Sequence, residues 1–584
     1  MQLAVINKEK CRPTLCAHEC KKYCPVEKKE LDSCITIENR AKIDENTCIG
    51  CSICVKRCPF GAIDIINLPS VEEKDIVHRY GENGFALYGL PTPKEGAVLG
   101  LLGRNGIGKS TAVNILAGQI AMNLGGEANE GKIKEFFKGN ELLRYFDSLG
   151  DKKISYKPQN LASLAIDVKV MDLLKKRGKV EEIKKLAERL GVSNVLENRM
   201  DKLSGGELQR VAILAASLGE AEIYFFDEPL AYLDIGERLR VSEFIKEIGK
   251  DKIVVVVEHD LLILDYLTDY LNIFFGGQGA YGTVSGLKSS KNGVNSYLQG
   301  FLKEENLRVR DKELNFNFTK NPPLSGNLIA SWPEFGLKFD SGFELKVPSG
   351  EIHQNHVVGI LGKNGTGKTS FVRALAGELA TKEGKLDLNL EISYKPQYLF
   401  TESVETVREI IFREKISKKM SSVFNLGVLQ GKKMNELSGG ELQRFNIARC
   451  LAKDADVYLI DEPSAYLDVE ERISVAKAIK DVMTEKEKTA FVVDHDLLLI
   501  SYLADSIINF SQKKDMDDLD DSTGESGVLA EASEIRRFEE GVSELLRSLD
   551  VTLRKDSESG RPRINKRGSV LDREQKKDGK WVVF

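Results

Sequence analysis

The feature that most restricts this chain is a duplication whose repeated segments all suit phosphate chemistry. Gly103-Arg-Asn-Gly-Ile-Gly-Lys109-Ser110 returns as Gly362-Lys-Asn-Gly-Thr-Gly-Lys368-Thr369, and both fit GxxxxGK[ST]. In such a loop backbone N–H groups cradle phosphates, the lysine neutralises the outer ones, and the hydroxyl reaches Mg2+. Four further motifs follow in the same order in both copies. They are Gln159 and Gln397, then Leu203-Ser-Gly-Gly-Glu-Leu-Gln-Arg210 and Leu437-Ser-Gly-Gly-Glu-Leu-Gln-Arg444. Next come Phe226-Asp-Glu-Pro229 and Ile460-Asp-Glu-Pro463, and last Glu258-His259-Asp260 and Asp494-His495-Asp496. One loop match arises by chance; two ordered series do not.

The segments Ile223-Tyr-Phe-Phe-Asp227 and Val457-Tyr-Leu-Ile-Asp461 are apolar runs ending in an acid. That pattern suits a buried parallel strand delivering its last carboxylate to Mg2+ at its C-terminal end. Glu228 and Glu462 come next and are placed to polarise an attacking water. His259 and His495 each follow another apolar run, in reach of a γ-phosphate. A lone histidine there would more often be structural; its position after the glutamate favours a catalytic role. The copies differ in one place. The phosphate-loop lysine and the glutamine are 50 residues apart in the first and 29 in the second. The surplus falls within residues 125–150, where EFFKGNELLRYFDSL predicts two short helices around Lys138-Gly139-Asn140. It offers Lys132, Lys134, Lys138 and Arg144 for RNA phosphates and Phe136, Phe137 and Tyr145 as anchors. The plainer reading is a solvated helical hairpin without a partner.

Nine of the ten cysteines lie between Cys11 and Cys58, which does not suit a secreted disulfide protein. Cys48-x2-Cys51-x2-Cys54-x3-Cys58-Pro59 is the bacterial ferredoxin run, whose fourth cysteine ligates the other cluster when there are two. The partner run is Cys11-x4-Cys16-x3-Cys20-x3-Cys24-Pro25. Exchanging the last members gives one [4Fe-4S] set of Cys48, Cys51, Cys54 and Cys24, and another of Cys11, Cys16, Cys20 and Cys58. Zinc also takes CxxC spacing, but the paired Cys-Pro endings and three close thiols fit a ferredoxin better. Cys34 and Cys450 are expected to be buried apolar cysteines.

The order of phosphate loop, glutamine, LSGGE, Asp-Glu and histidine resembles the ATP-binding cassette ATPases. The resemblance implies an α/β fold: two P-loop cassettes in tandem behind an N-terminal α+β bacterial-type two-cluster ferredoxin domain. In that family each ATP lies between one phosphate loop and the other cassette's LSGGE. Carried over, Lys109 would face Ser438, Gly440 and Glu441, and Lys368 would face Ser204, Gly206 and Glu207, with the helix N-terminus as the anion site. ATP contacts are implied for Gly103, Asn105, Gly106, Gly108, Ser110 and Thr111, and for Gly362, Asn364, Gly365, Gly367, Thr369 and Ser370. Mg2+ ligation is implied for Ser110, Gln159, Asp227, Thr369, Gln397 and Asp461, and catalysis for Glu228, Glu462, His259 and His495. Asp234 and Asp468, in the AYLD segments, match the cross-interface aspartates. Tyr80 or Phe85, and Trp332 or Phe335, are the candidate adenine-stacking rings.

A two-cluster ferredoxin domain fused to two cassettes is similar to subfamily E, the ribosome-recycling factors also called RNase L inhibitor. The likeness includes Cys58-Pro-Phe-Gly-Ala-Ile, Asn67-Leu-Pro, His78-Arg-Tyr, the surplus helices and Arg561-Pro-Arg-Ile-Asn-Lys566, and Leu571-Asp-Arg-Glu-Gln-Lys leans archaeal. It implies an ATPase that splits ribosomes after termination or rescue. Its partners would be the small subunit and its rRNA, a class-one release factor or its rescue paralogue, and initiation factors. The protein would act as a cytoplasmic monomer without a membrane. Two departures stand out: Asp494 replaces a glutamate, and Leu230 replaces a small residue. The rival functions are a transporter's ATPase subunit, a ferredoxin-coupled ATP-dependent redox enzyme and a DNA-repair cassette protein, although no heptad arm interrupts either cassette.

The length of 584 residues accommodates this plan. The expected division is 1–70 for the ferredoxin-like domain, 71–292 for cassette one, 293–322 for a hinge, 323–530 for cassette two and 531–584 for a C-terminal hinge and tail. Basic residues follow each cassette, Arg308 and Arg310 in one tail and Arg554 through Arg567 in the other. The acidic stretch 511–527 reads as a surface loop. A net charge of -5 gives no bulk nucleic-acid stripe. No apolar run approaches the ~20 residues of a membrane span, and MQLAVINKEK lacks a signal-peptide layout.

Overall fold

The computed structural model describes residues 2–6, 10–29, 33–44, 47–67, 76–310, 313–314, 326–340, 342–397, 403–513 and 528–584. Leu68 and Pro69, most of the segment 311–325 and residues 514–527 of the acidic stretch lie outside them. The chain forms two compact units. One comprises residues 1–231, 241–259 and 267–313, and the other 232–240, 260–266 and 314–584. Among the described residues no helix is long and apolar enough to cross a membrane.

The first unit opens with the cysteine-rich domain. Strand β1 (Gln2–Ile6) pairs antiparallel with a strand at Ile63–Asn67, and β2 (Ile35–Ile37) pairs with β3 (Ala41–Ile43). Its core is small: Ile6, Ile35, Ala41, Ile43 and Ile63 pack with Cys20, Cys24, Cys34 and Cys54. So few apolar side chains do not hold a domain of this size alone. It is fastened to the neighbouring sheet by Asn83, which is buried and left-handed at φ +52°. The Asn83 carbonyl accepts from Ile6 N–H at 2.9 Å, and its side-chain oxygen accepts from Ile43 N–H at 3.0 Å.

The sheet beyond it has nine strands. Numbering on from β4 (Ile63–Asn67), they include β5 (Ile76–Arg79), β6 (Ala86–Tyr88), β7 (Ala97–Leu102), β8 (Ile154–Lys157), β9 (Ile223–Asp227), β10 (Ile253–Val257), β11 (Tyr270–Gly277) and β12 (Tyr281–Val284). The order is β5-β6-β12-β11-β7-β10-β9-β8, and the run from β11 to β8 is parallel. Ile253-Val-Val-Val-Val257 is buried at every position, as a β-branched strand covered on both faces should be. The second unit repeats this order strand for strand. It runs Phe335–Lys338, Phe343–Val347, Val528–Ala532, Ser506–Lys513, Val357–Gly362, Thr489–Val493, Val457–Asp461, Ile392–Lys395. The α/β expectation holds in both. The repeat extends to rare backbone angles: Glu228 and Glu462 have φ +46° and +47°, and Tyr232 and Tyr466 have +65° and +64°.

The surplus in the first copy is a pair of helices, Glu130–Phe136 and Glu141–Leu149, each capped by an asparagine. Phe137 and Tyr145 are buried beneath them, and the Tyr145 hydroxyl donates to the Leu116 carbonyl at 2.7 Å. Lys132, Lys134, Lys138 and Arg144 are exposed.

Candidate functional site

Each phosphate loop leaves a central strand and enters a helix that begins on the loop lysine, Lys109–Leu116 or Lys368–Leu375. Gly108 and Gly367 make the turn at φ +92° and +89°. A Cβ at Gly108 would strike the Phe85 ring at 2.7 Å, and one at Gly367 would crowd Phe343 at 3.2 Å. Glycine is therefore required twice over, for the left-handed angle and for the close ring. Lys109 Nζ donates to the Gly103 and Arg104 carbonyls at 2.7 Å each, and Lys368 Nζ to Gly362 and Lys363 at 3.0 and 2.5 Å. Burial pushes the Lys368 ammonium down to about 8, a cost that an anionic phosphate would offset.

Asp227 and Asp461 end the central strands behind these loops. Thr369 donates its hydroxyl to Asp461 at 2.7 Å, which brings together the two groups suited to Mg2+. Burial is the leading cause that raises both aspartates above the usual carboxylate range. A divalent cation would reverse that shift. Ser110 is exposed on the first turn of its helix.

Gln159 donates to Glu228 Oε1 at 2.7 Å, and His259 Nε2 lies 3.5 Å from the same oxygen. In the second unit the distances are 2.6 Å from Gln397 and 3.7 Å from His495 to Glu462 Oε1. Each glutamate thus has a glutamine amide bonded to one carboxylate oxygen, which orients the group as a base, and an imidazole near the same oxygen. Burial raises Glu462, and it lowers His495 well below its ordinary value, which keeps that imidazole neutral. Both glutamates are left-handed, at a cost of about 1–3 kcal/mol each.

Ser204 and Ser438 cap the helices Gly205–Ser217 and Gly439–Ala452 in reciprocal capping boxes with Glu207 and Glu441. Glu441 is also paired with Lys432 at 2.9 Å. Within the second unit, Asp234 accepts from Asn364 N–H on the phosphate loop at 2.9 Å, and the Tyr232 carbonyl accepts from the Asn364 side chain at 3.0 Å. Asp468 caps the helix Val469–Lys486. The two sequence departures fall in different copies, with Ser464 the counterpart of Leu230 and Glu258 the counterpart of Asp494. Asp494 accepts from Ser464 N–H and O–H at 2.9 and 2.7 Å. At the matching place in the first copy, Leu230 has no hydroxyl to offer, and Glu258 accepts instead from its neighbour His259 N–H.

The adenine-stacking expectation needs correction in the second copy. Trp332 and Phe335 are each 3% exposed in the core; Trp332 donates to the Pro348 carbonyl at 2.9 Å, and Phe335 stacks on Phe371. Neither presents a face to a ligand. Phe339 and Phe343 are half-buried with rings 5.7 Å apart, and Phe343 lies beside Gly367. They mirror Tyr80 and Phe85, which are 6.5 Å apart, with the Tyr80 hydroxyl 3.3 Å from Thr111. The distance along the chain from ring to loop was the usable signal, since Phe85 precedes Gly108 by nearly the same interval as Phe343 precedes Gly367.

In the cysteine-rich domain, Cys11, Cys16, Cys20 and Cys58 line one cavity, and Cys24, Cys48, Cys51 and Cys54 line another. Cys34 is buried, but it also faces the second cavity. Ala41 N–H donates to the Cys11 sulfur at 3.4 Å and Ala62 N–H to the Cys58 sulfur at 3.3 Å. Such N–H···S contacts stabilise cluster-bound thiolates. Among the described residues no three His, Cys, Asp or Glu side chains gather closely enough to hold a single metal ion. Each quartet surrounds a space rather than a point, which fits a multi-atom cluster. Burial pushes the Cys20 thiol up to about 11 and Cys54 to about 12, so only coordination would make them thiolates at neutral pH. Cys450 is buried in the second unit, against Ser393.

The ABC transporter family matches residues 92–231 and 345–465, a 4Fe-4S binding domain matches 41–64, and a possible Fer4-like domain in RNase L inhibitor matches 1–29. The chain is 40% identical to ABC transporter E family member 1 of Arabidopsis thaliana, over 100% of this chain and 99% of that protein. Among solved structures it is similar to one described as a model of ribosome-bound archaeal Pelota and ABCE1. The TM-score is 0.92 and the identity 43%, over 100% of this chain and 99% of the other. It is also similar to the archaeal ribosome recycling factor aABCE1 crystallised with the archaeal ribosomal stalk protein aP1. There the TM-score is 0.81 and the identity 43%, over 88% and 100% of the two chains.

Proposed function

Because this chain belongs to the ATP-binding cassette E family, the RNase L inhibitor family, we propose that it uses ATP to split ribosomes into subunits after termination or rescue. The observation that carries this is a junction. The loop between β5 and β6 bears Tyr80 and Phe85 at the phosphate-loop helix, and also Asn83, which holds the cysteine-rich domain. Nucleotide at those rings and the seating of that domain therefore depend on one short segment.

In this reading Lys109 and Lys368 neutralise the outer phosphates of ATP. Asp227 with Ser110, and Asp461 with Thr369, hold Mg2+, with Gln159 and Gln397 beside them. Glu228 and Glu462 take the proton of the attacking water, oriented by His259 and His495. ATP favours the closed cassettes over the open ones, and that differential affinity supplies the work. The two cysteine quartets would hold two [4Fe-4S] clusters, which when bound stiffen a domain whose core is too small to be rigid. The division into 1–70, 71–292, 293–322, 323–530 and 531–584 follows from the same reading. In this reading the partners are the ribosome, chiefly its small subunit, and a release or rescue factor; the similar structures are described with a ribosome, Pelota and a ribosomal stalk protein.

Sedimentation of ribosomes tests this. The full chain with ATP and a rescue factor should convert whole ribosomes to free subunits, and a non-hydrolysable ATP analogue should leave the protein on the small subunit. An unchanged ribosome profile under both conditions would overturn the proposal.

A further inference from the structure

Each cassette buries a lysine two residues before its glutamine that the chemistry above does not use. Lys157 and Lys395 occupy the same place in a hexapeptide, Ile-Ser-Tyr-Lys-Pro-Gln, that recurs unchanged at 154–159 and 392–397. Both are 1% exposed. A buried ammonium group is costly unless its donors are met, so its partners carry information.

Those partners are backbone carbonyls of the Asp-Glu step. Lys157 Nζ donates to the Asp227 and Glu228 carbonyls at 2.8 and 3.1 Å, and Lys395 Nζ to those of Asp461 and Glu462 at 2.6 and 3.4 Å. Gln209 adds a bond to the Glu228 carbonyl at 2.6 Å, and Gln443 one to the Glu462 carbonyl at 2.5 Å. On the other side of each residue, Glu228 N–H donates to Val257 at 2.9 Å and Glu462 N–H to Val493 at 2.8 Å. The glutamate peptide is gripped at both ends while its backbone sits in the left-handed region. A non-glycine residue keeps that conformation only where its surroundings over-determine it.

We propose that Lys157 and Lys395 are positioning residues for ATP hydrolysis, each fixing the left-handed Asp-Glu step so that the glutamate carboxylate meets its glutamine and histidine. The same short segment supplies both grips: Lys157 holds the Glu228 carbonyl, and Gln159, two residues on, holds its carboxylate. Any movement of this strand end therefore shifts the base as a whole. Both copies of the duplication keep the arrangement although their flanking segments differ by an insertion. Burial pushes both ammonium groups down to about 8.

The inference rests on Glu228 and Glu462 being the bases. The test uses the full chain, purified anaerobically, with K157M/K395M, K157Q/K395Q and E228Q/E462Q. Methionine matches the length but cannot donate; glutamine keeps donors and should recover part of the rate. In the methionine variant kcat should fall about ten- to a hundredfold, with KM and the affinity for a fluorescent ATP analogue within about twofold. Adding the lysine changes to E228Q/E462Q should cost nothing further, because both act through one carboxylate. Unchanged kcat in both lysine variants, with E228Q/E462Q inactive, would overturn the inference. So would a parallel loss of ATP binding and turnover, the mark of a general folding role. If the methionine protein does not fold, the glutamine variant decides by the same kcat-against-KM split. Wild-type turnover in E228Q/E462Q would instead remove the base assignment itself.

Discussion

Gln397 holds the Glu462 carboxylate through a 2.6 Å amide hydrogen bond. Gln159 holds Glu228 in the same way at 2.7 Å. A glutamine placed at 228 or 462 would keep a polar partner for this amide but could not accept a proton from water. E228Q/E462Q should therefore bind ATP normally and hydrolyse it about 10²- to 10⁴-fold more slowly. Nucleotide retained after gel filtration measures this. Two ATP per chain are expected, and a protein that elutes empty would contradict the assignment.

The separation of the cysteines into two cavities predicts independent loss. The native protein should carry about eight irons with matching sulfide. Cys54→Ser should lower the iron to about half and leave the quartet of Cys11, Cys16, Cys20 and Cys58 filled. Iron and sulfide analysis of anaerobic preparations decides between this and stoichiometric zinc without sulfide.

The helical insertion is anchored by Phe137 and Tyr145 and presents Lys138 and Arg144 to solvent. Lys134 is paired with Glu130 at 2.9 Å, so part of its charge is already offset. Reversing Lys134, Lys138 and Arg144 to glutamate should weaken small-subunit binding and flatten its salt dependence by up to about one log unit per lost phosphate contact. Basal ATPase should be nearly unchanged, because the second cassette has no such insertion. Equal affinity of wild type and variant across a salt titration would mean that this face does not touch RNA.

Rings at the second nucleotide site separate cleanly by exposure. Phe343→Ala should weaken ATP binding at that site by about fivefold, from the loss of about 1 kcal/mol of stacking, with little effect on the denaturation midpoint. Trp332→Ala should instead cost about 3–5 kcal/mol of stability, because it empties a packed core. Titration with a fluorescent ATP analogue beside chemical denaturation would expose an exchange of these roles.

The phosphate loops, the LSGGE helices and the ferredoxin runs were legible because each is a contiguous string whose spacing is itself the chemistry. A capping box needs a serine and a glutamate three residues apart, and Ser204 with Glu207 meets that within one turn. The paired insertion helices were legible for the same reason, with Asn129 and Asn140 serving as local caps. Trp332 and Phe335 were misjudged as stacking rings because aromatic identity says nothing about which face of the sheet a side chain occupies.

Two cassettes, their order of motifs and a cysteine domain before them are thus determined by the sequence alone, through local spacing and repetition. Only the tertiary structure decided that Lys157 grips the Asp227 and Glu228 carbonyls, that Asn83 fastens the cysteine domain, and that Cys34 faces a cavity. These contacts join residues distant along the chain, and the lysine and asparagine contacts depend on left-handed backbone at Glu228 and Asn83. Neither separation in space nor a positive φ at a non-glycine residue leaves a mark in composition or periodicity, because both arise only when packed strands hold the chain against its local preference.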